Sequence, residues 1–275
     1  MNFPHKTVVH VPAHRALEHH PTPAQRRGSR RPRLEMTEAP RRGPQLALLG
    51  GFDLLVDGQI VALPRAAQRL LAFLALNERP LLRVYVAGTL WPESEERHAA
   101  GSLRSALFKL RHPAYELVEL SSGHLELPQK MSVDVRDSIA LCHRLVDHSP
   151  FVPDNADGVR LSTDVLPDWS DDWLVVEREH FRQLRLHALE ALSERLTVVG
   201  RFPQAIESGL AAVAAEPLRE SAHRVLIKAH VAEGNRGEAA RQYRLFRQLL
   251  HDELGVEPSD AMEDLVRGLR PLTVG

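Results

Sequence analysis

Apolar residues change their period several times along the chain. From Gln45 to Leu63 they fall in short runs, Leu46–Leu49, Phe52–Val56 and Gln59–Leu63, punctuated by Gly50-Gly51 and Asp57-Gly58. Such runs bounded by turn residues predict strands, and Asp-Gly between two of them predicts a type I′ hairpin. From Pro64 the period becomes helical through about Asn77, with Leu70, Leu71, Leu74 and Leu76 inward and Arg65, Gln68 and Arg69 toward solvent. Proline in the first turn forfeits no hydrogen bond, and Glu78-Arg79-Pro80 breaks the helix. A second helix is predicted over about Val84 to Trp91, with Val86, Leu90 and Trp91 inward, and a third from about Glu95 to His112, closed by Pro113. Alternation then returns in Glu116–Leu120 and His124–Leu127, a second hairpin turned by Ser121-Ser122-Gly123, with Met131–Val135 as a further strand. Asp137–Asp147 is amphipathic through Ile139, Leu141, Cys142 and Leu145. Residues 149–164, rich in Pro, Asp, Gly and Ser, read as a loop. From Trp173 onward the pattern is almost entirely helical.

The helical half repeats at an offset of 34 residues. Gly200 pairs with Gly234, Ala205 with Ala239, Leu192 with Leu226 and Ala188 with Ala222. Each unit is a helix, a glycine-bearing turn and a second helix, which is the tetratricopeptide period. Ala205 and Ala239 fall where paired helices cross closely, and Glu216-Pro217 ends the first unit. Two units rarely stand alone, so the helices at 137–147 and 173–199 are expected to extend or cap the stack.

The third helix of the first half has two distinct faces. Leu103, Leu107 and Leu110 make an apolar floor. Arg97, Arg104 and Arg111 recur every seven residues on another face, with Gly101, Ser105, Phe108 and His112 beside them and Lys109 at the margin. A basic third helix ahead of a hairpin is the layout of a winged helix-turn-helix, in which that helix enters the major groove and the hairpin, or wing, lies against the flanking backbone. Arginine pairs bidentately with guanine, and a serine hydroxyl bonds base edges or phosphate. On this reading Arg97, Arg104, Ser105 and Arg111 read bases, Lys109 and His112 hold phosphate, and the wing touches backbone at Ser122 and His124. The bland alternative for the helix is an ordinary solvated charged face. Net charge does not decide between them, because residues 45–135 hold nine Lys/Arg against ten Asp/Glu.

Composition narrows the class. The chain has 275 residues, 43% hydrophobic, with Lys plus Arg 35 and Asp plus Glu 36, which argues against a uniformly basic nucleic-acid coat. The single cysteine, Cys142, excludes an intrachain disulfide and suits a reducing compartment; a DNA-binding regulator is expected in the cytoplasm, on the nucleoid. No apolar run approaches the roughly 20 residues of a membrane span. Residues 1–44 carry nine Lys/Arg against three Glu, several prolines and no sustained apolar period, and are expected to be a disordered basic tail. Three readings of that tail stay open: an arm on DNA phosphate, a plain solvated tail, or a true translation start at Met36. Its five histidines, His5, His10, His14, His19 and His20, lack acidic or cysteine partners in an ordered frame that could hold a metal.

No catalytic constellation is legible. His-Glu-x-x-His, Gly-x-Ser-x-Gly and Walker patterns are absent, and Glu177-Arg178-Glu179-His180 has the wrong spacing. Gly50-Gly51 is followed by neither Lys-Ser/Thr nor a helix. Cys142 reads as core, and His187, His223 and His230 as packing or surface residues of the repeat. The chain is therefore expected to be no enzyme, with no cofactor and no metal.

Taken together, the two halves resemble the streptomycete antibiotic regulatory protein family, which joins an OmpR-like winged helix to a bacterial transcriptional activation domain of tetratricopeptide type. The stretches that carry the resemblance are Ala67-Gln68-Arg69-Leu70-Leu71-Ala72, Leu90-Trp91-Pro92, Leu103 through Arg111, Trp173 through Glu179, Glu216 through His223, and, most specifically, Tyr243-Arg244 through Glu253-Leu254-Gly255-Val256-Glu257-Pro258-Ser259. The implied fold is mainly α with small β-sheets: an N-terminal winged helix-turn-helix over 45–135 and an all-α tetratricopeptide-like domain over 136–275. The resemblance implies sequence-specific binding of double-stranded promoter DNA, a homodimer on direct repeats, recruitment of RNA polymerase and control of a biosynthetic gene cluster. It also makes the acidic loop Glu93, Glu95 and Glu96 a candidate polymerase contact, against the plainer reading of a solvated turn. The long tail departs from the family. The ATPase and sensor modules of its large members are not in this sequence, so no nucleotide switch is implied. The competing function is a repeat-based interaction scaffold whose winged helix does not bind DNA.

Overall fold

The computed structural model describes residues 43–147 and 155–267. The basic tail, its histidines and Met36 lie outside the described residues, as do residues 148–154.

Strands β1 (Gln45–Ala47), β2 (Asp53–Val56) and β3 (Gln59–Ile60) form the expected meander. Asp57 and Gly58 adopt φ of 51° and 77° at its second turn, the pair of positive values a type I′ turn requires. Helices α1 (Arg65–Leu76), α2 (Arg83–Leu90) and α3 (Glu96–Lys109) follow, with β4 (Leu81–Leu82) between the first two. The wing is β5 (Glu119–Ser121) and β6 (His124–Glu126). It forms a three-stranded sheet in the order β4-β6-β5.

The further strand expected over Met131–Val135 is β7 (Ser132–Val133). It does not extend the wing but lies parallel to β1, making the first sheet β3-β2-β1-β7. Helix α4 (Asp134–Val146) then begins three residues earlier than its pattern suggested. The reason is Asp134, whose carboxylate accepts the N–H groups of Val135 (2.7 Å), Leu48 (2.9 Å) and Leu49 (3.0 Å). Burial lifts this carboxyl above its usual range, and the three N–H groups offset only part of that rise.

Two further boundaries move. Part of the segment read as a loop is helix α5 (Asn155–Leu161), whose Leu161 is fully buried; tertiary packing overrides a weak local propensity there. Helix α3 stops at Lys109, not His112. Leu110 and Arg111 donate to the carbonyls of Leu107 (3.2 Å) and Phe108 (3.3 Å) in a tightened last turn, and Pro113 disfavours helical geometry at the residue before it.

The second half is α6 (Asp172–Val198), α7 (Phe202–Ala215), α8 (Glu220–Glu233), α9 (Arg236–Leu254) and α10 (Asp260–Arg267). The 34-residue register holds in three dimensions. Ala188, Leu192, Ala205, Ala222, Leu226 and Ala239 are all buried, and Gly200 and Gly234 have φ of 75° and 93° at matching turns. Cys142 is buried in the repeat core, which pushes its thiol up to about 12, so it is a packing residue. No helix among the described residues is long and apolar enough to cross a membrane.

His223 is buried and stacked on Phe246 at 4.1 Å. Its Nε2–H donates to the Pro217 carbonyl at 2.8 Å, and Gln242 donates to its Nδ1 at 2.9 Å. Protonating Nδ1 would set two donors face to face. Burial accordingly lowers its pKa below the ordinary 6.5, against smaller raising effects from the Pro217 carbonyl and Glu220. A base depressed in the folded state contributes stability that is complete above the unfolded value and is lost as pH falls below it. The urea midpoint is therefore expected to fall between pH 7 and pH 5. A His223→Gln protein should show a shallower fall, and equal slopes for the two proteins would remove His223 as a cause.

Candidate nucleic-acid interface

Helix α3 is oriented by its small apolar side. Ala99, Leu103, Ala106 and Leu110 are buried, and α3 packs on α1 and α2. With that side inward, Arg97, Arg104, Ser105, Phe108 and Lys109 project into solvent. The structure thus brings the predicted helix residues onto one open face. Two refinements follow from the geometry. The Ser105 hydroxyl donates back to the Gly101 carbonyl at 3.1 Å, so it must rotate to reach a base. Arg111 lies past the helix end, where its guanidinium sits 5.2 Å from the Phe108 ring centroid, within cation–π range. His112 is partly committed to the fold: its Nδ1 accepts the Ala114 N–H at 3.3 Å, and its ring lies against Tyr115. The proton of the neutral ring is then on Nε2, which leaves a donor suited to phosphate.

Ser122 and His124 form a second cluster at the wing. Ser122 and Gly123 have φ of 47° and 80°, again a type I′ pair, so the turn is two residues long and the Ser122 side chain is exposed at its tip. His124 Nδ1 lies 3.2 Å from the Ser122 carbonyl and must donate to it. The neutral His124 ring therefore offers only an acceptor outward, and only the imidazolium has a second N–H for a phosphate.

Glu93 and Glu95 are exposed in the turn between α2 and α3, and Glu96 is exposed in the first turn of α3. The Ser94 N–H bonds the Trp91 carbonyl at 3.1 Å, and the Glu95 carbonyl starts the helix through Ala99 at 2.9 Å. Carboxylates here also favour the positive end of the helix dipole.

Two further residues lie beside these clusters. Phe108 is 61% exposed at the centre of the basic face, a position its heptad relation to Gly101 already showed. Arg83 has no such signal. It is placed by β4 pairing with β6, with its N–H on the Gly123 carbonyl at 3.0 Å, so the start of α2 and the wing tip form one structure. Among the described residues no group of three or more His, Cys, Asp or Glu is placed to hold a metal ion.

Comparison with known proteins extends this picture. Residues 162–270 match the bacterial transcriptional activator domain. Regulatory protein AfsR of Streptomyces coelicolor is 28% identical over 254 residues, covering 86% of this chain and 25% of that protein. Regulatory protein AfsR of Streptomyces griseus is 25% identical over 225 residues, 78% of this chain and 23% of that one. Transcriptional regulator RedD of S. coelicolor is 41% identical over 78 residues, 28% of this chain and 22% of its own. The chain thus spans about a quarter of the length of these relatives. Among solved structures, Mycobacterium tuberculosis EmbR, determined in complex with a low-affinity phosphopeptide, shares the fold with a TM-score of 0.63 at 23% identity, over 83% of this chain and 66% of that one. The activator-domain match and these relatives make the chain similar to streptomycete antibiotic regulatory protein-like regulators, and EmbR shares its fold.

Proposed function

We propose that this regulator is a sequence-specific DNA-binding transcriptional activator, in which residues 45–135 read double-stranded promoter DNA and residues 136–275 form the activation domain. The observation that carries the reading is the open face of α3, where Arg97, Arg104 and Phe108 project together while Ala99, Leu103 and Ala106 hold the helix to its core. Arg97, Arg104 and Ser105 are assigned to base edges, with Arg111 beside them; Phe108 suits a thymine methyl. Lys109 and His112 are assigned to phosphate, and Ser122 and His124 to the backbone under the wing. The acidic turn Glu93, Glu95 and Glu96 is assigned to RNA polymerase. Two copies on direct repeats, action in the cytoplasm and control of a biosynthetic gene cluster complete the proposal.

Footprinting on promoter fragments from the protein's own genomic neighbourhood tests it. Protection of a defined site with half-sites about one helical turn apart is the expected result. Absence of protection on every fragment would instead support the scaffold reading, which the lack of net positive charge in 45–135 favours.

Deleting residues 1–35 should leave operator recognition intact. That segment has a formal charge of +5, seven Lys/Arg against two Glu. If it touches DNA, it does so as a polycation, each phosphate contact adding about 0.9 to the slope of log affinity against log salt. The truncated protein should rank operator variants as before, with a slope no steeper than that of the full chain. Loss of discrimination would make the tail a groove-reading arm.

A further inference from the structure

The apolar core of the winged-helix half does not stop at β7. Val165, Leu166, Trp169, Leu174 and Phe181 belong to it, although all five fall inside the activator-domain match. The segment enters as a strand-like strap: the Gly50 N–H donates to the Asp164 carbonyl and the Leu166 N–H to the Leu48 carbonyl, both at 2.8 Å. Arg178 holds the strap's turn by donating to the carbonyls of Val165 (2.8 Å), Leu166 and Trp169 (2.8 Å).

The strap then grips α1 in register. Trp169 lies under the Arg65 guanidinium, 3.6 Å from its ring centroid. Asp171 accepts from Arg65 at 3.1 Å and Arg69 at 2.5 Å. Trp173 meets Phe73 edge-on at 5.2 Å. Alternate residues of the strap thus meet every fourth residue of the helix. Between Trp169 and Asp171 the match is geometric, since two extended residues advance about 6.6 Å and four helical residues about 6.0 Å; Trp173 follows in the first turn of α6. The opposite face of α1, with Leu70, Leu71 and Leu74, is buried in the core on which α3 packs. Helix α6 runs on from the strap without a break. Leu174 and Phe181 sit in the first core, and Leu189, Leu192 and Leu196 in the second.

We infer that residues 164–181 are a positioning element for the recognition helix. They fix α1, and through it the exposed face of α3, so the DNA-reading half is completed by the activator half. Because one uninterrupted helix joins strap and repeat, an event at the repeat and an event at α3 are energetically linked and reciprocal. The affinity consequence rests on the DNA-binding reading; the structural one does not.

The test uses the full chain with Asp171→Asn, which keeps the volume and removes the charge, and with Trp169→Ala and Trp169→Phe. Amide hydrogen exchange and operator affinity are measured on each. Asp171→Asn should leave the circular dichroism of the wild type, speed exchange in α1 and α3 while α8 and α9 stay protected, and weaken operator binding at least about fivefold. Trp169→Ala should do the same more strongly, and Trp169→Phe should restore most of the loss. Unchanged exchange in α1 and α3 for both Asp171→Asn and Trp169→Ala would overturn the inference, as would acceleration spread evenly over all helices. If exchange responds as expected but the wild type itself binds no operator, the positioning role stands and the DNA-binding reading falls.

Discussion

Arg104→Ala is expected to weaken operator binding by roughly five- to 150-fold, the equivalent of about 1–3 kcal/mol for one bidentate base contact. The fold should be untouched. The Arg104 side chain is exposed, the floor of α3 is made by Ala99, Leu103, Ala106 and Leu110, and alanine is the best helix former. The loss should be one of discrimination, with non-specific binding nearly unchanged. Arg104→Lys sharpens the test, since lysine keeps the charge but lacks the planar fork. It should retain the salt slope and still lose selectivity. Fluorescence anisotropy against the operator and a scrambled duplex at fixed salt measures both. A variant with wild-type affinity and ranking would remove Arg104 from the readout.

Ala205→Trp and Ala239→Trp are each expected to destabilise the protein by about 1–3 kcal/mol or more, lowering the melting midpoint by on the order of 5–10 °C. Both alanines are fully buried. The Ala205 carbonyl also accepts the buried Ser193 hydroxyl at 2.8 Å, so a larger side chain would disturb the α6–α7 crossing and leave that hydroxyl unsatisfied. The next crossing is as tight: a Cβ on Gly209 would stand 3.2 Å from Leu226 Cα. Differential scanning calorimetry distinguishes the outcomes. Wild-type midpoints for both variants would mean that the 34-residue register does not mark the crossings.

How much of this was legible beforehand differs by element. The two Asp-Gly and Ser-Gly hairpin turns, the three helices and the paired repeat units follow from period and turn chemistry, because each depends on neighbours a few residues away. The basic face of α3 was legible for the same reason: residues three, four and seven apart share a side of a helix. The end of α3 is less legible: its pattern runs on to His112, but the restriction Pro113 imposes on the residue before it and the tightened turn at Leu110 and Arg111 stop the helix at Lys109. Helix α5 was missed because its composition favours a turn, and only the burial of Leu161 between other helices outweighs that.

What sequence alone determined here is local and periodic: a winged-helix order of elements, a basic face on the third helix, a helical repeat and a resemblance to a family of regulators. Contacts between residues far apart in the chain were decided only by the tertiary structure. Arg65 and Arg69 read as solvated helix residues, yet they meet Asp171 and Trp169 about a hundred positions away. Arg185 sits mid-helix in a charged stretch, yet it is buried with one nitrogen on Asp164 at 2.5 Å and with Nε and Nη1 lacking a hydrogen-bond partner among the described residues. Asp134 caps the end of β1 across 86 residues. Side-chain period records which face of an element turns inward, but it carries no record of which distant element that face will meet. That choice belongs to packing, where a strap and a helix with matching rises, or a carboxylate and two open N–H groups, satisfy each other only after the chain has folded back on itself.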